Sequence, residues 1–290
     1  YFFSGCFHIR GDSMLPTAMG CTACKPPNCG SHRLLWVLLL MSSCFALDAG
    51  AADDVRLGLP DNVTGVLLNI GSWIDAVVAP PDHPTVITVA VDPQPWVTSA
   101  YRSRPQTHIL TAAVSDRMGI RPFTIYNGGP SSSLAEWSPT DKSDLANMRR
   151  RNLRSPPYTV SSVVITLQML LDAIPPGVRV MLVKTDMQGF DFIAFRGAGL
   201  AVQRAEFVMN EVWSGGAKSY KGVSNSYEDD WAPHMQRIGF AEIHKPAHRD
   251  TEGDACWRNR NATPAEPWLA DLVRRECMGP VLRRGRRRAT

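Results

Sequence analysis

The chain has 290 residues, an apolar fraction of 44% and a formal net charge of +4. That length allows one large domain or two small ones, and the apolar content supports a sizeable core. The charge is concentrated in residues 283–288, Arg-Arg-Gly-Arg-Arg-Arg, so the body is near neutral and offers no nucleic-acid-binding face.

Residues 1–33 show no hydrophobic periodicity and read as an unstructured leader. Cys21, Cys24, Cys29 and His32 have the ligand types of a zinc site, but their spacing fits no standard template and no second half follows. Leu34–Leu47 is an apolar run of 14 residues, preceded by His32-Arg33. A stable membrane crossing takes about 20 residues. The run suits the apolar stretch of a signal peptide or a short signal anchor over 34–51, with small residues at Cys44 and Ala46 or at Ala49 and Ala51. A buried helix is the other reading. The signal reading places the chain in the secretory pathway or at a membrane through residues 34–47; otherwise it is cytoplasmic. In the secretory route Asn62-Val-Thr64 and Asn261-Ala-Thr263 become glycosylation acceptors, and Cys256 and Cys277 are free to pair.

The body, residues 60–260, alternates apolar runs with helical patterns. Val66–Ile70 reads as a buried strand ending at Gly71. Asp75–Ala79 predicts a short helix stopped by Pro80 and Pro81. Val86–Val91 is β-branched and predicts a second strand, closed by Asp92-Pro93. A short helix over Trp96–Arg102 follows, then a third strand over Ile109–Val114, closed by Ser115-Asp116. Phe123–Tyr126 with the loop through Leu134 reads as a short strand or hairpin, and 138–157 as a polar, basic surface insertion. Val160–Ile165 predicts another strand. Thr166 is a good N-cap for a helix over Leu167–Ala173. Val178–Val183 is the clearest strand. Phe190–Gly197 is helical, with Phe190, Ile193 and Ala194 on one face. Glu206–Val212 is a strand, and Tyr227–Ile238 a helix with Gly239 in place as its terminating glycine. Phe240–Ile243 and Ala255–Trp257 predict a final antiparallel pair. Residues 261–290 read as a C-terminal extension with a basic tail.

Strands alternating with helices predict a doubly wound α/β domain with a mostly parallel sheet and helices on both faces. Ligands of such sheets bind outside the carboxyl ends of the strands, at the switch point. That rule selects Asn69–Trp73, Asp92, Ser115-Asp116, Lys184–Gly189 and Glu211 as converging on one crevice. A glycine after strand one allows close backbone approach, and an acid ending strand two binds ribose hydroxyls. Gly71 and Asp92 stand 21 positions apart. The loop holds one glycine where a dinucleotide fold shows G-x-G-x-x-G, which disfavours NAD. Asp92 also reads as a helix cap after a strand.

The ordered segments Asn69-Ile-Gly71, Val91-Asp92-Pro93, Ala113-Val-Ser115-Asp116, Ser132-Ser133-Leu134, Thr166-Leu167, Lys184–Gly189, Gly197-Ala198 and Glu211 resemble the FkbM family of S-adenosylmethionine-dependent methyltransferases. The resemblance covers about residues 60–257 and is strongest over Leu182–Gly189. It implies a Rossmann-like seven-strand sheet and S-adenosyl-L-methionine as cofactor. It also implies O-methylation of a sugar or other small hydroxyl-bearing metabolite, hence a small-molecule or glycan acceptor. By position it implies that Asn69, Gly71 and Ser72 face the cofactor's methionine part, Asp92 its ribose, and Ser115 and Asp116 its adenine. Lys184, Asp186 and Gln188 would line the acceptor side. The family's first loop reads D-x-G-A-N-x-G; here it reads Asn69-Ile-Gly71-Ser72-Trp73-Ile74-Asp75. Asn69 hydrogen-bonds but carries no charge for the cofactor's ammonium, and Trp73 is bulky. These departures keep a second reading open, a methyltransferase-like binding module without turnover.

The sulfonium carries an activated methyl, so the protein mainly aligns the acceptor, and an oxygen acceptor must lose its proton. Asp186 is the first candidate base, with a role in bonding the Gly189 turn as its structural alternative. Glu211 is the second, with capping or ion pairing as its alternative. Lys184 steers an anionic acceptor or pairs with Asp186 or Glu211. His234, His244 and His248 have no ligand spacing and read as surface or packing residues. No metal site is expected.

Overall fold

Gly65–Ile70 (β1) is buried at every position, as an apolar run bounded by a turn signal should be in a central strand. Val86–Val91 (β2) is buried throughout for the same reason. The computed structural model describes residues 56–74, 76–126, 129–137, 157–214, 220–246 and 252–278, all within the unit Asp54–Thr290. The leader with its Cys21–His32 set, the Leu34–Leu47 run, Asp75, Gly128, the basic stretch 138–156, His248 and the arginine tail lie outside the described residues.

Seven strands build the main sheet. Besides β1 and β2 they are β3 (Thr107–Leu110), β7 (Arg179–Thr185), β8 (Ala205–Trp213), β9 (Phe240–His244) and β10 (Glu252–Asn259). Their order is β3-β2-β1-β7-β8-β10-β9. The pairs β1–β2, β1–β7, β2–β3 and β7–β8 are parallel, whereas β10 runs antiparallel to both β8 and β9. The chain is thus mixed α/β with a mostly parallel central sheet, and the expected final antiparallel pair is present.

The third expected strand is divided. β3 ends at Leu110, whose carbonyl takes the Asp92 N–H at 3.2 Å. Beyond Thr111-Ala112 the chain enters a second sheet as β4 (Ala113–Ser115). That sheet has the order β4-β6-β5, with β5 at Gly119–Ile125 and β6 at Tyr158–Thr166. Apolar run length marks a strand but not its partner, so Ile109–Val114 reads as one element although it serves two sheets.

The helices are short. They are α1 (Pro95–Ala100), α2 (Leu167–Asp172), α3 (Asp191–Gly197), α4 (Ala232–Arg237) and α5 (Pro267–Cys277). The Thr166 hydroxyl accepts from Met169 N–H at 3.0 Å and starts α2 as expected. Tyr227–Trp231 forms a π-turn leading into α4, and Gly239 follows with φ +92°. The short helix expected over Asp75–Ala79 does not form over 76–79, where the backbone bonds to buried side chains instead. Asn69 Oδ1 accepts from Val77 N–H at 2.7 Å, Asn69 Nδ2 donates to the Val77 carbonyl at 3.0 Å, and Thr88 Oγ accepts from Ala79 N–H at 2.8 Å.

Alternate residues of β1 serve two cores. Val66, Leu68 and Ile70 pack with Leu167 and Leu170 of α2 and with Phe192 and Phe195 of α3. Leu67 packs with Leu269, Leu272 and Val273 of α5. Each such aliphatic side chain taken from water contributes about 1.5–3 kcal/mol. Residues 267–277, expected within a C-terminal extension, are therefore a packed part of the domain. Cys277 at the end of α5 is joined by a disulfide to Cys256 on β10, with Cα atoms 6.2 Å apart. Among the described residues, no helix is long and apolar enough to cross a membrane.

Candidate functional site

The strand order turns around between β1 and β7, since β2 and β3 lie on one side and β8 on the other. The loops leaving β1 and β7 part there and open a cleft of about 280 Å³. Gly71 sits at its base. Its N–H donates to Val91 O at 2.9 Å, and the Asp186 N–H donates to Ile70 O at 2.9 Å. Gly71 has φ +69°, and a Cβ there would lie 1.9 Å from the Asp186 carbonyl oxygen. Only glycine lets the two strand-end loops meet this closely.

On the β2 side, Asp92 receives two backbone N–H groups. Gln94 N–H bonds Oδ1 at 2.9 Å and Trp73 N–H bonds Oδ2 at 3.2 Å. Burial pushes the Asp92 carboxyl up to about 6, with these hydrogen bonds pulling the other way. Ser72 is buried beside it, and among the described residues its hydroxyl has no partner. Trp73 has φ +39°, and its backbone is pinned by the buried Tyr101 hydroxyl, which bonds the Trp73 carbonyl. Its ring lies against Gly129, forming one wall of the cleft.

On the β7 side the groups are polar, two of them acidic. Lys184, Asp186, Gln188 and Glu252 line the cleft. Gln188 has φ +54° and acts as a hub. Its Nε2 donates to Asp186 Oδ1 at 2.9 Å and to Glu211 Oε2 at 3.0 Å, and the Tyr220 hydroxyl lies 2.8 Å from its Oε1. Its carbonyl accepts from Ser133 Oγ at 2.8 Å, tying the loop opposite to the end of β7. One primary amide thus holds two carboxylates in place. Burial raises Glu211 well above the ordinary carboxylate range, and Asp186 and Glu252 add to the rise. Burial likewise lifts Asp191, with Asp186 adding, to about 7, and Asp254 to about 6.

These shifts share one sign. Asp92, Asp191 and Asp254 have folded values above their ordinary 3.8. Between about pH 4 and 7 these three carboxyls therefore hold more protons in the folded chain than in the unfolded one. Their stabilisation is full below the unfolded value and is lost as pH rises through the folded values. Urea unfolding should give a higher midpoint at pH 5 than at pH 8. A midpoint that climbs across that interval would contradict the carboxyl environments described here.

The expected residues divide. Gly71, Ser72, Asp92, Lys184 and Asp186 line the cleft. Glu211 reaches it only through Gln188. Asn69 is fully buried with its amide committed to Val77, because strand alternation turns it to the face opposite Ile70. Ser115 and Asp116, expected near the adenine, do not line this cleft. Ser115 Oγ donates to Asp116 Oδ1 at 3.0 Å and accepts from Arg121 at 3.1 Å, while Asp116 packs on Gly197 of α3. The residues just before them, Ala112–Val114, wall the cleft instead. His234 is a packing residue between Phe192 and Phe195, as expected.

Sequence reasoning missed Gln94, Tyr220 and Glu252, whereas Trp73 belongs to the selected Asn69–Trp73 loop and forms a wall of the cleft. Gln94 carries a faint signal, since it follows the acid-proline pair that ends β2. Glu252 and Tyr220 carry none, because each arrives from a distant strand or loop. Among the described residues, no group of three or more His, Cys, Asp or Glu side chains is placed to hold a metal ion.

Fold and site together define an α/β protein with a polar, ligand-sized cleft at the carboxyl edge of a mostly parallel seven-strand sheet. The chain matches no protein-family model and no curated protein.

Proposed function

We propose that this protein is an S-adenosylmethionine-dependent methyltransferase of the FkbM type, with a Rossmann-like, doubly wound domain and helices on both sheet faces. The observation that carries the reading is the placement of Gly71, Ser72 and Asp92 on the same cleft as Lys184 and Asp186. A ribose-binding acid and a candidate base thereby share one cavity at the switch point. The residues present fit the cofactor. Ser72 Oγ is a buried polar atom without a partner among the described residues, and the acidic lining suits a ligand with a net positive charge.

When bound, S-adenosylmethionine supplies a methyl group activated by its sulfonium. The chain's own residues then align an acceptor, which can be worth ~7–11 kcal/mol. Asp92 holds ribose hydroxyls at the end of β2. Asp186, fixed by Gln188, takes the proton from an acceptor hydroxyl. Lys184 steers the acceptor, and Glu211 stabilises the arrangement through Gln188. The acceptor in this reading is a sugar or other small hydroxyl-bearing metabolite. The Cys256–Cys277 disulfide supports placement in the secretory pathway, where such bonds persist, and Asn62 and Asn261 of the two glycosylation motifs are both exposed.

A second reading, a binding module without turnover, is favoured by one observation. The Trp73 ring lies against Gly129 at the side of the cleft where the cofactor would sit. Calorimetry with S-adenosylmethionine is the first test, and absence of binding to the folded protein would sink the enzyme reading. Where it binds, Asp92→Ala should weaken it far more than Asp186→Ala. Asp186→Asn should lower turnover roughly 10²–10⁴-fold with cofactor affinity nearly intact. Equal binding losses from the two alanine variants would contradict these roles, and binding without turnover on any hydroxyl-bearing metabolite would favour the binding module.

A further inference from the structure

Gln94 lies three residues past the end of β2 and is 4% exposed. Its Nε2 donates to the Gly129 carbonyl at 3.3 Å. Its Oε1 is buried at the cleft, and among the described residues no hydrogen bond reaches it. The reverse amide orientation would set Oε1 against the Gly129 carbonyl oxygen, so the unpartnered atom is the acceptor. Buried acceptors are nearly always satisfied, because a missing donor leaves their desolvation uncompensated.

The surroundings keep this oxygen open. Gly129 has φ +137°, and a Cβ there would lie 2.9 Å from Gln94 Oε1 and 2.2 Å from the Trp73 ring. A side chain at 129 would plug the space beside it. Ser72 Oγ, 3% exposed and likewise without a partner among the described residues, lines the same half of the cleft. Asp92 takes one backbone N–H on each oxygen and also meets the Gln94 side-chain amide, which still leaves lone pairs for a ligand. Two adjacent loops thus present acceptors, and among the described residues the cationic side chain lining the cleft, Lys184, comes from β7. A ligand in this half must bring the donors.

We propose that Gln94 is a ligand-binding residue whose Oε1, together with the Asp92 carboxylate, receives the two hydroxyls of a vicinal diol. This rests on the reading above in taking the diol to be that of a ribose. Each hydroxyl donates to one side chain, so the pair recognises the diol rather than a single hydroxyl. Gln94 then discriminates ligands, while Trp73 and Gly129 shape the space around it.

The test uses the full chain with three probes: S-adenosylmethionine, adenosine and 2′,3′-dideoxyadenosine. Wild-type protein should bind adenosine at least tenfold more tightly than the dideoxy compound. Gln94→Met keeps the side-chain length and removes the acceptor. It should raise the Kd for S-adenosylmethionine and adenosine roughly tenfold and leave dideoxyadenosine binding unchanged. Equal wild-type affinity for adenosine and dideoxyadenosine overturns the proposal, whether or not the variant folds. So does an unchanged Kd for adenosine in a folded Gln94→Met. Adenosine binding that depends on the diol and on Gln94, without any binding of S-adenosylmethionine, supports this site and removes the methyltransferase reading. No binding of any probe overturns both.

Discussion

Gly71→Ala is expected to abolish ligand binding at the cleft and to destabilise the fold by on the order of 3 kcal/mol or more. Two penalties act together. The left-handed backbone at φ +69° costs a residue with a Cβ roughly 1–2 kcal/mol. The added Cβ would also sit 1.9 Å from the Asp186 carbonyl oxygen, which is backbone and cannot rotate away. Overpacking of this kind typically costs a further 1–3 kcal/mol or so. The relief available is to push the β7 loop outward. That loop carries Asp186 and Gln188, so the two halves of the cleft would part. Gly177→Ala is the matched control, because a Cβ there meets nothing within 4 Å. Urea unfolding of both variants, with calorimetry of the folded fraction, checks the expectation. Gly71→Ala with wild-type stability and binding would show that the two loops are not pressed together as described.

The second large effect concerns α5. Breaking the Cys256–Cys277 disulfide, by reduction or as Cys256→Ala with Cys277→Ala, should cost about 3 kcal/mol for a loop closed over a sequence separation of 21. The cost arises mainly in the unfolded chain, which regains the freedom the crosslink removed. In the folded chain Leu269, Leu272 and Val273 still hold α5 against β1, β7 and β8 through their buried contacts. The helix should therefore stay docked, while global stability falls. Hydrogen exchange separates the two. Amide protection in α5 should persist at reduced overall stability. Complete loss of protection in α5 with the rest of the fold intact would mean that the crosslink, and not the apolar face, attaches the helix. Unchanged stability on reduction would contradict the loop-closure estimate.

Much of the fold was legible because its signals are local. Val66–Ile70, Val86–Val91 and Val178–Val183 are short apolar runs bounded by turn residues, and all three are buried central strands. Thr166 capped its helix and Gly239 ended one, since capping chemistry depends on residues only a few positions apart. Gly71 and Asp92 were legible as a cleft pair because strand ends of a parallel sheet share one edge.

Other features depend on partners far along the chain. Ile109–Val114 reads as a single strand, but pairing with β2 claims its start and pairing with β6 claims its end. Beyond the division Ala112–Val114 line the cleft, whereas Ser115 and Asp116 do not. Asn69 has the chemistry of a ligand contact, yet Val77 takes its amide across the opposite face. Glu211 is a cleft group only by way of Gln188, which also meets Asp186 and Tyr220. Pro267–Cys277 reads as part of a tail until its apolar face meets Met181 and Phe207. Periodicity and turn chemistry set which segments become strands and helices, and where strand ends gather. Pairing, side-chain direction and hydrogen-bond commitment set which polar groups remain open to a ligand. Those depend on contacts between residues tens of positions apart, and no local pattern encodes them.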